Sequence, residues 1–173
     1  MRLIKNGQFI EDEWTTVADE EALPEGSIIV TLERWNKEKD ALVARKGKLG
    51  IRLKSGEDPS QIADQLAHFD LVALEFPVYR NGRAFSYANL LRERYEYKGE
   101  VRAVGNVLRD QFYFMVRVGF DALEVGDEIT LEIFQESIGS FTHNYQPSAD
   151  QKPSVLSLRQ RLAANAAAGQ KRG

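Results

Sequence analysis

The chain has 173 residues, 43% of them hydrophobic and 28% charged, with a formal net charge of −3; that length carries one domain with a core of its own. It has no cysteine and only two histidines, His68 and His143, which excludes disulfides, thiol redox chemistry and thiolate-held zinc or iron–sulfur clusters, so no metal site is expected. The acidic balance argues against nucleic acid as a partner, and no apolar run approaches the ~18 residues of a membrane span.

In chain order, LIKNGQFI reads as a small hairpin, two short apolar runs around an Asn-Gly turn. The opening run is broken by Lys5-Asn6-Gly7 and then by acids, unlike a signal peptide, so the expected location is cytoplasmic. An acidic linker follows from Asp19 to Gly26. SIIVTL, Ser27 to Leu32, has the β-branched character of a buried strand, and NKEKDALVARKG reads as a helix closed by Gly47 whose start is poorly marked. LGIRLKS is a second strand. Asp58 and Pro59 then give an N-cap and a proline at the first helical position, ahead of Ile62, Leu66 and Phe69 at helical spacing.

LVALEF, apolar except at Glu75, fits a strand of a parallel sheet covered on both faces. Ser86 is the expected cap of a helix ended by Gly99, VRAVG the next strand, and Asn106 the expected cap of a helix stopped by Gly119. FDALEV is a further strand, and the stretch from Asp127 onward is read as a helix although ITLEIF also alternates like a strand. FTHNYQP, with His143, reads as extended, and the tail 151–173 as partly helical. The rhythm predicts an α/β fold: a mainly parallel sheet of about five βα units, as an open twisted sheet or a partial barrel, with the small N-terminal hairpin. The domain spans 1–150. A closed eight-fold barrel needs ~250 residues.

In such sheets ligands sit beyond the carboxyl ends of the strands. That rule selects Glu75, Tyr79, Arg80 and Arg83 after LVALEF, Gly105, Asn106, Arg109 and Asp110 after VRAVG, and Glu124 and Gly126 after FDALEV. Between Phe76 and Arg117 eight bases face four acids, so this segment is +4 and the remainder −7. Arginine forks and helix N-termini favour an anion, a small oxyanion or a phosphate-bearing ligand. The expected anion- or cofactor-binding residues are therefore Arg80, Arg83, Asn106 and Arg109, while Glu75 and Asp110 are candidate acid–base groups for catalysis. Loop arginines also pair with neighbouring acids, and strand-end carboxylates are common. No GxGxxG, Walker loop or nucleophile elbow is present.

The runs GRAFSYANLLRERY, GEVRAVGNVLRDQ and GFDALEV, within Leu71 to Val125, resemble the core of a bacterial domain-of-unknown-function family. Its members are commonly labelled oxidoreductases involved in sulfite reduction and are encoded beside the sulfite/nitrite reductase hemoprotein. The resemblance implies a cytoplasmic accessory role in assimilatory sulfite reduction, supplying sulfide for cysteine biosynthesis, with that hemoprotein as partner. It brings no established catalytic residues, and the chain departs from the family at Asn106, where aspartate is common. The alternative is an α/β oxidoreductase using a phosphate-bearing organic cofactor, although no flavin or nicotinamide fingerprint is found.

Overall fold

The computed structural model describes residues 1–77 and 82–139. Asn6 and Gly7 both take positive φ, 52° and 76°, as a two-residue turn between right-twisted strands requires. They join β1 (Arg2–Lys5) to β2 (Gln8–Ile10) as an antiparallel pair. A short β3 (Trp14–Thr16) follows, and then β4 (Ser27–Thr31). Helix α1 (Leu32–Ala44) begins earlier than its sequence marks suggest, because Thr31 ends the strand and caps the helix at once. Its hydroxyl accepts the Arg34 backbone N–H at 3.0 Å. Arg34 is buried and pins the acidic linker by donating to the carbonyls of Ala18 at 2.5 Å and Glu21 at 2.6 Å.

After β5 (Leu49–Leu53), Asp58 caps a 3₁₀ helix (Pro59–His68) by accepting the Ser60 N–H at 2.8 Å. β6 (Leu71–Phe76) leads to α2 (Arg83–Asn89), which runs on into a π-helical turn (Leu90–Arg94). β7 (Glu100–Gly105) is followed by a 3₁₀ turn (Arg109–Gln111) and α3 (Phe112–Val118), which stops at Gly119 with φ 106°. β8 (Ala122–Val125) and α4 (Leu131–Gly139) complete the described chain. Neither Ser86 nor Asn106 caps a helix, since α2 starts before the first and α3 well after the second. Tyr79, Arg80 and Asn81, the segment containing His143 and the tail 151–173 lie outside the described residues.

The strands form one sheet in the order β2-β1-β8-β7-β6-β5-β4-β3. This corrects the expected mainly parallel sheet of about five βα units: the fold is α/β, but the sheet is mixed, has eight strands and is curled into a half-barrel. β3 to β8 run parallel to one another, whereas β1 is antiparallel to both β2 and β8. The hairpin is thus built into the sheet, pairing Leu3 with Glu124 and Lys5 with Ala122, which covers the edge that β8 otherwise leaves open.

Connectivity alone demands the curl. β2 and β3 are the two outermost strands, yet only Glu11, Asp12 and Glu13 connect them. Eight strands laid flat would hold their edges about 34 Å apart, while Ile10 and Trp14 Cα atoms can be at most about 15 Å apart across that link. The sheet must bend until its edges approach, and the Glu11–Glu13 strap bridges the gap.

The two faces of the curl differ. Ile28, Val30, Ile51, Leu53, Val72, Leu74, Val101 and Ala103 point outward and join Trp35, Leu42, Ile62, Ala88, Leu91, Phe112, Met115 and Phe134 of the helical layer in the main core. Ile29, Leu71, Ala73 and Val104 form a small inner cluster against which Trp14 packs. Gly50 makes room for that ring, since a Cβ there would lie 3.2 Å from Trp14 and 3.1 Å from Ile29.

Candidate functional site

The rim at the carboxyl ends of the parallel strands holds most residues selected from sequence. Phe76 and Gly105 stand side by side in register at the ends of β6 and β7, and the Asn106 N–H donates to the Phe76 carbonyl at 2.7 Å. Gly105 has φ 88°, and a Cβ there would sit 2.7 Å from that same carbonyl, so only glycine lets the two exits lie this close. Asn106 is exposed beside the start of the segment that reaches Arg83, the exposed first residue of α2. Helices α2 and α3 have seven residues each, and among the described residues no side chain caps either N-terminus.

Arg109 already has partners on α4. Its Nη2 pairs with Glu136 at 2.6 Å and its Nε donates to Ser137 Oγ at 3.2 Å, both on α4. Asp110 lies exposed next to it in the 3₁₀ turn. Glu75 points to the inner face and accepts from Arg52 Nε at 3.2 Å. Continuing the β6–β7–β8 register sets Glu75, Val104 and Glu124 on one level, so the two carboxylate-bearing residues stand two strand spacings apart, about 10 Å.

The inner face also carries a charge network absent from the sequence selection. Arg102, on β7, is only 3% exposed. Its Nε donates to Glu100 Oε1 at 2.8 Å, and its Nη1 meets both Asp12 carboxylate oxygens, at 2.9 and 2.8 Å. Glu100 also binds Lys5 Nζ at 2.5 Å. This chain of charges closes the strap over a cavity of about 560 Å³ at the amino-terminal mouth of the half-barrel, between the strap, Trp14, Lys5, Lys48, Asp70, Glu100 and Arg102. The available signal was two charged residues on one face of an otherwise apolar strand, Glu100 and Arg102 on β7, with Arg52 on β5; the partner Asp12 lies 90 positions from Arg102.

Among the described residues, no group of three or more His, Cys, Asp or Glu is arranged to hold a metal ion. No described helix is long and apolar enough to cross a membrane. Residues 50–156, more than half of the chain, match a family described as bacterial protein of unknown function, DUF934. No curated protein and no solved structure matches.

Proposed function

The chain belongs to the DUF934 family of bacterial proteins of unknown function, and on that footing we propose that it is an accessory factor of assimilatory sulfite reduction. In this reading it binds a small oxyanion at the rim through Arg80, Arg83, Asn106 and Arg109 and docks on the sulfite reductase hemoprotein. The supporting observation is the adjacency of two exits: the Asn106 N–H on the Phe76 carbonyl, at 2.7 Å, ties the loop after β7 to the root of the segment carrying both Arg80 and Arg83. Guanidinium donors of that kind suit sulfite, sulfate and phosphate. In this reading the electrons for sulfite come from the partner's redox centre.

The test has two arms. Sulfite is expected to raise the melting temperature of the wild-type protein and to do so less for Arg83→Ala, and the hemoprotein is expected to co-purify with the tagged protein. No co-purification, together with normal growth of a deletion strain on sulfate as sole sulfur source, rejects the role. A larger thermal shift with a flavin or nicotinamide than with sulfite favours the alternative, an oxidoreductase with a phosphate-bearing cofactor in which Glu75 or Asp110 moves the proton.

A further inference from the structure

We propose that the cavity at the amino-terminal mouth of the half-barrel is a separate anion site, which Asp12 fills as a built-in anion and which a small oxyanion takes by displacing it. This site lies at the opposite end of the strands from the rim and does not depend on the rim reading.

The guanidinium of Arg102 is 3% exposed, and a charge buried to that extent requires an anion beside it. Glu100 occupies Nε and Asp12 occupies Nη1 with both of its oxygens. Nη2 makes no hydrogen bond among the described residues, although Arg102 lines the cavity. Asp12 therefore leaves the planar fork half used. An oxyanion with three or four oxygens can span Nη1 and Nη2 together, the paired geometry that guanidinium favours.

Charge is divided between wall and strap in the same sense. On the sheet side the cavity has three cations, Lys5, Lys48 and Arg102, against two acids, Asp70 and Glu100, a balance of +1. Both acids are engaged, Glu100 with Lys5 and Arg102, and Asp70 with the Leu49 N–H at 3.1 Å. The other three acids, Glu11, Asp12 and Glu13, all belong to the strap. The wall is thus built for an anion and the strap supplies it. Burial shows which partner exchanges: the Asp12 side chain is 43% exposed and that of Arg102 3%, so solvent and a competing anion reach the carboxylate while the guanidinium stays in place.

The strap also carries its own reporter. It runs straight into Trp14, which lines the cavity, whereas the other tryptophan, Trp35, is fully buried in the outer core. Titration with inorganic sulfate at constant ionic strength, followed by calorimetry and tryptophan emission, is expected to show at least tenfold tighter binding to Asp12→Ala than to wild type, with a change in Trp14 emission. Adding Arg102→Lys to Asp12→Ala is expected to abolish that binding, and adding Arg83→Ala to leave it unchanged, which separates this site from the rim. If Arg102→Lys does not fold, Lys48→Ala in the Asp12→Ala background replaces it, with severalfold weaker binding expected. Equal affinity for the Trp14-reported event in wild type and Asp12→Ala overturns the proposal, as does Trp14-reported binding that survives both cavity substitutions or disappears with Arg83→Ala.

Discussion

Outward from the sheet, Val72, Leu74, Val101 and Ala103 meet Trp35, Leu91, Phe112 and Met115 in a continuous apolar layer. Inward, the same strands offer Ala73, Glu75, Glu100 and Arg102, where no described helix packs and a three-residue strap closes the space. Parallel strands are normally covered on both faces by helices and read as apolar throughout. Here one face follows that pattern, and the other substitutes a small apolar cluster, one indole ring and a run of ion pairs. Apolar contact is non-directional and gains little from exchanging one partner for another, whereas an ion pair at a solvent-reachable mouth exchanges readily when a better-fitting ion arrives. The outer face therefore carries the stability, and the inner face is where a ligand can act at small cost.

The largest effect should come from the outer layer. Trp35 is fully buried, lies edge-on to Phe69 at 4.6 Å between ring centroids and donates its Nε1 proton to Gln65 at 2.7 Å. Trp35→Ala is expected to cost about 4 kcal/mol of unfolding free energy in urea. A loss under about 1 kcal/mol would mean that the helical layer is not where the fold is held.

Arg102→Ala comes next, at about 3 kcal/mol, because it leaves the buried Glu100 with Lys5 as its one cationic partner among the described residues and releases the strap. Replacing both groups sharpens the comparison: Arg102→Met with Glu100→Leu is expected to recover most of that loss, since an apolar pair needs no counter-ion. If the double variant is no more stable than Arg102→Ala, the network contributes more than compensation for buried charge, and the inner face carries stability as the outer one does.

Much of this architecture is legible in the sequence where local chemistry decides it. Asn6-Gly7 specified its hairpin, Asp58-Pro59 its 3₁₀ helix and Gly119 the end of α3, each through a backbone preference acting within a few residues. What was not legible depends on distance. Trp14–Thr16 is too short to show a period, so β3 was missed, and with it the short link that forces the curl. Antiparallel pairing of β1 with β8 joins residues more than a hundred positions apart. The start of α1 was hidden because Thr31 serves both strand and helix. At the rim, the Gly105-Asn106 exit was readable, but the partners that turn Arg109 toward α4 lie 27 and 28 positions further on. Arg102 was visible only as one base among eight in the +4 segment.

A smaller change tests packing on the inner face apart from its charges. The Cβ added by Gly50→Ala would lie 3.1 Å from Ile29, 3.2 Å from Trp14 and 3.3 Å from Leu71. All three belong to the inner cluster, so the added methyl is expected to cost about 1–2 kcal/mol and to shift Trp14 emission to the red as the ring lifts off the sheet. Unchanged stability and emission would show that the inner cluster is loose, leaving the ion network as the sole closure of that face.

The least effect is expected where a buried hydroxyl interrupts the outer layer. Tyr97 belongs to the apolar cluster at 7% exposure, and its hydroxyl donates to the Phe69 carbonyl at 2.9 Å. Burial first, and the nearby Asp70 charge second, push its phenol above the ordinary range. Tyr97→Phe leaves the Phe69 carbonyl without this donor and is expected to cost about 1 kcal/mol near neutral pH. The sign of the pH dependence follows from the raised pKa. Below the unfolded-state value of about 10 the phenol is neutral in both states and its contribution is complete. Above it the unfolded chain releases a proton that the folded chain retains, so the contribution falls as pH rises. The stability gap between wild type and Tyr97→Phe should therefore be constant from pH 7 to about 9.5 and narrow beyond about 10. A constant gap at high pH would mean that this phenol ionises in the fold as easily as in the unfolded chain, and that the outer layer admits water where its packing indicates none.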